Sequence, residues 1–157
     1  MKAKSFKLAD QTGRPRSLSE FRGSFLVLYF YPRDFTSGCT REAEGFRDAA
    51  AAFQQLGAVV VGVSKDSCES HAKFDAKHSL GFVLLTDPDL TVTKMFGAFG
   101  TKNTYGKTVE GVKRSTCLVG PDGTVLKEWK SVKVPGHVEQ VLAELYHARL
   151  QSVRSSG

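Results

Sequence analysis

Two stretches of the chain are apolar without interruption: "FLVLYFY" from Phe25 to Tyr31 and "AVVVGVS" from Ala58 to Ser64. Runs this short, rich in β-branched and aromatic residues, predict strands buried on both faces, as in a parallel sheet. Between them, "CTREAEGFRDAAAAFQQLG" places Ala43, Phe46, Ala50 and Phe53 at the spacing of one helix face, with Gly57 as a C-cap. Strand, helix, strand predicts a right-handed βαβ unit. A second helix is predicted in "DSCESHAKFDAKHSLG", where Asp66 and Glu69 have capping-box spacing and Gly81 marks the end.

Further on, "FVLLT" predicts a short strand and "PDLTVTKMFG" a short helix. "RSTCLVGPDGTVLKEW" predicts a hairpin, two β-rich segments around Pro-Asp-Gly. "GHVEQVLAELYHARL" predicts an amphipathic helix with Val138, Val141, Leu142, Leu145 and Tyr146 on one side. "QSVRSSG", from about residue 151, reads as a frayed tail. The chain shows no internal repeat, and its 157 residues suit one domain with a sizeable core. A βαβ unit followed by a hairpin and a terminal helix is a thioredoxin-like pattern: α/β, with a central mixed sheet flanked by helices.

Composition narrows the function. No stretch approaches the roughly 18 apolar residues that span a bilayer. The opening "MKAKSFKLAD" has charge but no apolar h-region, so no secretory signal is expected. Three cysteines, an odd count, argue against a secreted disulfide framework and for a reducing cytoplasm. The formal net charge of +6 invites a nucleic-acid reading. Lys and Arg are scattered, however, and the aromatic residues fall within apolar runs, which fits a basic soluble surface instead.

"FYPRDFTSGCTRE" then draws attention, because a lone cysteine, Cys39, follows a polar turn and opens a helix at the carboxyl end of the first predicted strand. Free N–H groups and the positive end of a helix dipole favour an anion there, and such placement can take a thiol from about 8.5 down to roughly 3.5–7.5. Acidity alone gives little rate, since nucleophilicity falls as a thiol becomes more acidic. A fast thiol reaction must also stabilise charge on the leaving group. The Thr36 hydroxyl and the N–H groups around Gly38 and Cys39 are candidates for that task, and Pro32 could wall the thiol from water. Thr36 or Ser37 could equally be a plain N-cap. A disulfide-exchange enzyme would carry a second cysteine where this chain has Glu42.

Pro32-x-x-x-Thr36-x-x-Cys39 resembles the P-x-x-x-T-x-x-C motif of the peroxiredoxins. "YFYPRDFTSGCTREA", "GVSKDSCESHAKF", "YGKTVEGVKRST", "GPDGTV" and "VKVPGHVEQVL" extend the resemblance, to the peroxiredoxin Q or bacterioferritin comigratory protein subfamily, from about Ser5 to Leu145. It implies a thioredoxin fold and a thiol peroxidase acting on hydrogen peroxide and organic hydroperoxides. No metal or organic cofactor is implied, and no nucleic acid or membrane. Reduction by thioredoxin or a similar small dithiol donor is expected, as is a monomer. By position, Cys39 matches the peroxidatic cysteine, Thr36 the hydroxyl that orients peroxide, Pro32 the shielding proline and Arg114 the arginine that holds the thiolate. Glu42 sits where related enzymes place a carboxylate that orients the arginine. A peroxide sensor or thiol relay that passes oxidation to a partner is the alternative.

The chain departs from the pattern at the usual resolving cysteines. One such position is Glu44, five residues after Cys39, and the other is Asp75. Cys68 is the candidate substitute, because it opens its helix at the same sheet edge. Direct bridging is not expected, since the Cα atoms should exceed the roughly 7 Å a disulfide tolerates. Unravelling a helix end would be required. Cys117 falls mid-strand and reads as core. His71, Asp75 and His78 share a face at metal-like spacing, but Phe74 lies there too, so a satisfied histidine packed inward is expected. Trp129 is expected to pack near the hairpin, with no chemistry. "SFKLADQTG" leaves the first strand poorly defined.

Overall fold

A computed structural model describes residues 1–156, without the side chains of Thr104 and residues 153–156. The continuous apolar runs become the middle of a seven-stranded sheet. β1 (Lys7–Asp10) and β2 (Pro15–Ser17) come first, then a 3₁₀ turn (Leu18–Phe21), β3 (Phe25–Phe30), α1 (Ser37–Asp48), α2 (Ala50–Gln55) and β4 (Ala58–Ser64). α3 (Cys68–His78), β5 (Val83–Thr86), α4 (Thr91–Met95), β6 (Phe99–Thr104) and β7 (Lys107–Val112) follow, then β8 (Ser115–Val119), β9 (Val125–Trp129) and α5 (His137–Ser156). Strand order is β2-β1-β5-β4-β3-β8-β9, with β6 and β7 as a separate hairpin. β3, β4 and β5 run parallel, and β1, β2, β8 and β9 add antiparallel edges.

β3 alternates between two cores, as period-two side chains must. Val27, Tyr29 and Tyr31 pack with Phe46, Phe53, Phe74, Val141 and Leu145 from the helices on one face. Leu26, Leu28 and Phe30 pack with Phe6, Phe21, Val63 and Val92 on the other. Both faces are buried, which is why the run carries no polar residue.

Several expectations need correction. The helix expected to run unbroken from Cys39 to the Gly57 cap divides at Ala49, whose ψ of 4° lies off the helical value. The separate α2 lets Phe53 stay in the same core as Phe46. α3 is capped by Ser67, whose side chain accepts from Ser70 N–H, and not by Asp66. Asp66 instead accepts from Ser64 Oγ and from Asp34 N–H. α3 ends on left-handed Ser79 and not on Gly81. Tyr146 is 53% exposed, whereas Val138, Val141 and Leu145 are buried as expected. The tail from about residue 151 continues α5 to Ser156, and Gly157 lies outside the described residues. The β1–β2 and β6–β7 hairpins had no sequence signal.

Gly62 is the tightest point in the sheet. In register it lies between Tyr29 of β3 and Leu84 of β5. A Cβ there would meet the Tyr29 ring at 2.9 Å and Leu84 at 3.0 Å. The space goes to the Tyr29 ring, which stacks on Phe46 of α1 at 4.8 Å. Gly62→Ala should therefore overpack the sheet and cost about 1–3 kcal/mol, read as a lower denaturant midpoint at unchanged slope.

Candidate active site

The end of β3 delivers Pro32, and α1 begins five residues later at Ser37. Thr36 is the N-cap residue, with extended backbone. Its hydroxyl does not cap the helix; it donates to Arg33 O at 3.0 Å. The first intrahelical bond runs from Thr40 N–H to Thr36 O. The N–H groups of Ser37, Gly38 and Cys39 precede that bond, so the helix offers them no acceptor. Cys39 lies in this first turn, 1% exposed, against the helix-face core.

Arg114 comes from the link between β7 and β8, directly before Ser115, which pairs in register with Phe30 at the end of β3. The Arg114 carbonyl accepts from Val132 N–H at 2.8 Å, which fixes the backbone. Nη2 donates to Cys39 Sγ at 3.3 Å and Nη1 to Glu42 Oε1 at 2.7 Å. Gly38 makes the approach feasible, because a Cβ there would lie 3.2 Å from Arg114 Nη2. One guanidinium thus bridges a sulfur and a carboxylate that sit three residues apart on one turn of α1. Burial works against the arginine's charge, but Glu42 and Cys39 outweigh it and raise its pKa further.

Glu42 is 1% exposed. Burial pushes its carboxyl up to about 7, and Arg114 only partly opposes this. Its second oxygen, Oε2, has no protein partner, and neither does the buried Tyr29 hydroxyl. Pro32 and Thr36 form part of the wall of an open depression, with Lys65, Leu90, Phe99 and Val112 opposite. A larger groove between β9 and α5, lined by Trp129, Val132 and His137, contains none of the Cys39–Arg114–Glu42 cluster.

The other thiols are placed differently. Cys68, half-buried, opens α3 and accepts from Thr86 Oγ1 of β5 at 3.6 Å. Cys117 pairs in register with Leu28 and lies in the core on the opposite sheet face from Cys39. Burial pushes its thiol up to about 12. All three cysteines are free. At the positions where a resolving cysteine was sought, Glu44 pairs with Arg47 and His78. Asp75 accepts from Gln11 Nε2 and Gly81 N–H.

The His71–Asp75–His78 stripe does not converge. His71 turns inward to Asp34 and Leu85 O, and His78 turns to Glu44. The sequence reading missed the Asp34 contact, because its partner lies 37 residues away and no local spacing marks it.

Residues 1–128 match the model of the AhpC/TSA family. The chain belongs to that family. Its relatives are peroxiredoxins: it is 44% identical to Peroxiredoxin Bcp of Bacillus subtilis over 144 residues, 92% of each chain. It superposes on the bacterioferritin comigratory protein of Xanthomonas campestris, a protein with alkyl peroxide reduction activity, with a TM-score of 0.87 and 40% identity, covering 92% of both chains. BcpB of Mycobacterium tuberculosis gives a TM-score of 0.83 at 37% identity, covering 94% of this chain and 95% of that one. The expected thioredoxin-like fold and the peroxiredoxin Q resemblance are therefore correct, and the activity of this peroxiredoxin is that of a thiol peroxidase.

Glu42 gives this peroxiredoxin a testable pH signature. Its carboxyl rises from the ordinary 4.5 to about 7 in the folded state. Between those values the folded protein holds a proton that the unfolded chain has released. Stability from this group is complete below about 4.5, falls as pH rises, and is lost above about 7. Glu42→Gln removes the dependence. Its stability relative to the native chain should rise between pH 5 and 8 by on the order of 3 kcal/mol, measured by urea unfolding at each pH.

Proposed function

We propose that Cys39 is the peroxidatic cysteine, reducing hydrogen peroxide and organic hydroperoxides within one thioredoxin-like domain in a reducing cytoplasm. The observation that carries the reading is the Arg114 guanidinium at 3.3 Å from Cys39 Sγ, on the first turn of α1 and inside the Pro32–Thr36–Cys39 turn. A fixed cation and unfilled helix N–H groups at one sulfur favour its anion.

In this reading the Cys39 thiolate attacks the terminal oxygen of the hydroperoxide along the O–O axis. The S–O bond forms as the O–O bond breaks, and the bonding pair leaves on the second oxygen, which takes a proton to become water or an alcohol. Cys39 becomes a sulfenic acid. Arg114 and the N–H groups of the first turn sit where the departing oxygen gains charge, and they are fixed before the reaction begins. The Thr36 hydroxyl donates its hydrogen bond to Arg33 O, so its lone pairs remain to accept the peroxide O–H. Pro32, half-buried, screens the turn from bulk water. Glu42 orients Arg114 through Nη1.

The sulfenic acid returns to thiol through a disulfide, formed with loss of water and reduced by thioredoxin or a similar dithiol. Cys68 is the candidate resolver. Its thiol is engaged with Thr86, so resolution requires the first turn of α3 or of α1 to open.

Two measurements test this reading. Cys39→Ser should abolish peroxide consumption; unchanged turnover would sink the assignment. Intact mass and peptide mapping after one equivalent of hydrogen peroxide, without added thiol, should show loss of two hydrogens and a linked Cys39–Cys68 peptide. Oxygen retained on Cys39 with Cys68 free would instead remove Cys68 from the cycle and leave a one-cysteine enzyme.

A further inference from the structure

The turn that carries Thr36 is fastened to α3 through Asp34. Asp34 is 3% exposed, His71 0% and Tyr31 1%. Asp34 Oδ1 accepts from the Tyr31 hydroxyl at 2.6 Å. Asp34 Oδ2 accepts from Ser70 Oγ at 2.9 Å and lies 2.7 Å from His71 Nδ1. Asp34 N–H donates to Asp66 Oδ2 at 2.9 Å. The far ring nitrogen of His71 lies 3.0 Å from Leu85 O. A carbonyl only accepts, so Nε2 carries a hydrogen. The Nδ1–Oδ2 contact then needs a second proton, held between ring and carboxylate.

Phe35, the next residue, has a φ of 67°, a left-handed conformation unfavourable for a non-glycine residue. Something must hold it. Its ring packs edge-on against Phe74 of α3 at 5.1 Å. Asp34 on its amino side is held by the buried network. Thr36 follows directly, so the strained residue translates the Asp34 anchor into the position of the Thr36 hydroxyl.

We infer that the buried Asp34–His71 pair is a positioning device for the peroxidase reaction: it sets where Thr36 and the first turn of α1 stand, although neither residue touches the reacting atoms. The inference rests on the reading of Cys39 as peroxidatic. If Cys39→Ser leaves turnover intact, that reading fails whatever Asp34 does. If Cys39→Ser is dead and Asp34 variants are normal, only the positioning role fails.

The test compares two rates on the reduced full-length chain: peroxide reduction, and alkylation of Cys39 by iodoacetamide, followed by peptide mapping. Both need the thiolate, but only the first needs Thr36 aligned. Asp34→Ala should lower the peroxide rate on the order of 10- to 100-fold while alkylation holds, since a displacement of about 1 Å costs that much. Asp34→Asn keeps the shape. Its carbonyl accepts from Tyr31 and its amide donates to neutral His71, so the ratio of the two rates should return to the native value. The His71→Ala and Asp34→Ala losses should not add, because they break one network. A normal ratio in Asp34→Ala, no rescue by Asp34→Asn, or additive losses would each overturn the proposal. Should Asp34→Ala fail to fold by circular dichroism, Tyr31→Phe removes a single hydrogen bond to Asp34 and should still lower the ratio several-fold; an unchanged ratio there overturns it equally.

Discussion

A sulfur that is 1% exposed beside a permanent cation is the constraint around which this protein is built. A buried charge is tolerable only when it is paired and hydrogen-bonded. Arg114 donates to Cys39 Sγ, and the mostly buried guanidinium finds its second partner in Glu42. The chain of charges cannot all persist at low dielectric. Burial is the larger effect at the carboxyl: it pushes Glu42 up to about 7 despite an arginine at 2.7 Å, and the neutral acid still accepts from Arg114 Nη1 through Oε1.

The fold supplies that cluster from elements far apart in sequence. β3 ends where α1 begins, so the sulfur stands at the carboxyl edge of the parallel strands. The Tyr29 ring, in the space Gly62 leaves, supports Phe46 and with it α1. Val138 of α5 lies close over Gly45, where a Cβ would come within 3.1 Å. Arg114 approaches over Gly38 from the opposite end of the chain. Three glycines without special backbone angles thus act through space alone, two of them on α1, where propensity would prefer alanine.

The residues most legible in the sequence were those whose neighbours are near in sequence. The unbroken apolar runs marked β3 and β4, because only strands covered on both sides need no polar residue. Thr36 and Cys39 were legible through a motif, and Glu42 and Arg114 only through the family resemblance. The break at Ala49 was invisible because a run of alanines favours a continuous helix, and only packing against the sheet overrules that preference. The β6–β7 hairpin is exposed along most of β7, so it shows no alternation to detect. Asp66 was read as a helix cap on spacing alone, and its real partners are Asp34 and Ser64. The Asp34–His71 pair depends on the β3–α1 turn meeting α3 at the sheet edge, and no short window of the sequence contains both.

In the proposed reading, this contact between the Asp34 turn and α3 ties substrate alignment to thiol resolution. Cys68 opens the same helix that presents Ser70, His71 and Phe74 to the Asp34 turn. For Cys68 to reach Cys39, the first turn of α3 must open or α1 must come to it. Opening α3 breaks the Ser67 cap and the Ser70–Asp34 bond, and it loosens the hold on strained Phe35. Glu44 and Asp75, at the positions where a resolving thiol was sought, are fastening points between α1, α3 and the β1–β2 turn. If Cys68 resolves Cys39 as proposed, the bonds that hold the Thr36 turn are among those an internal disulfide must break, and the closed and open arrangements would serve the two halves of the proposed cycle. Ends of helices are where proteins open at least cost, so a thiol at the start of α3 is placed where that exchange is easiest.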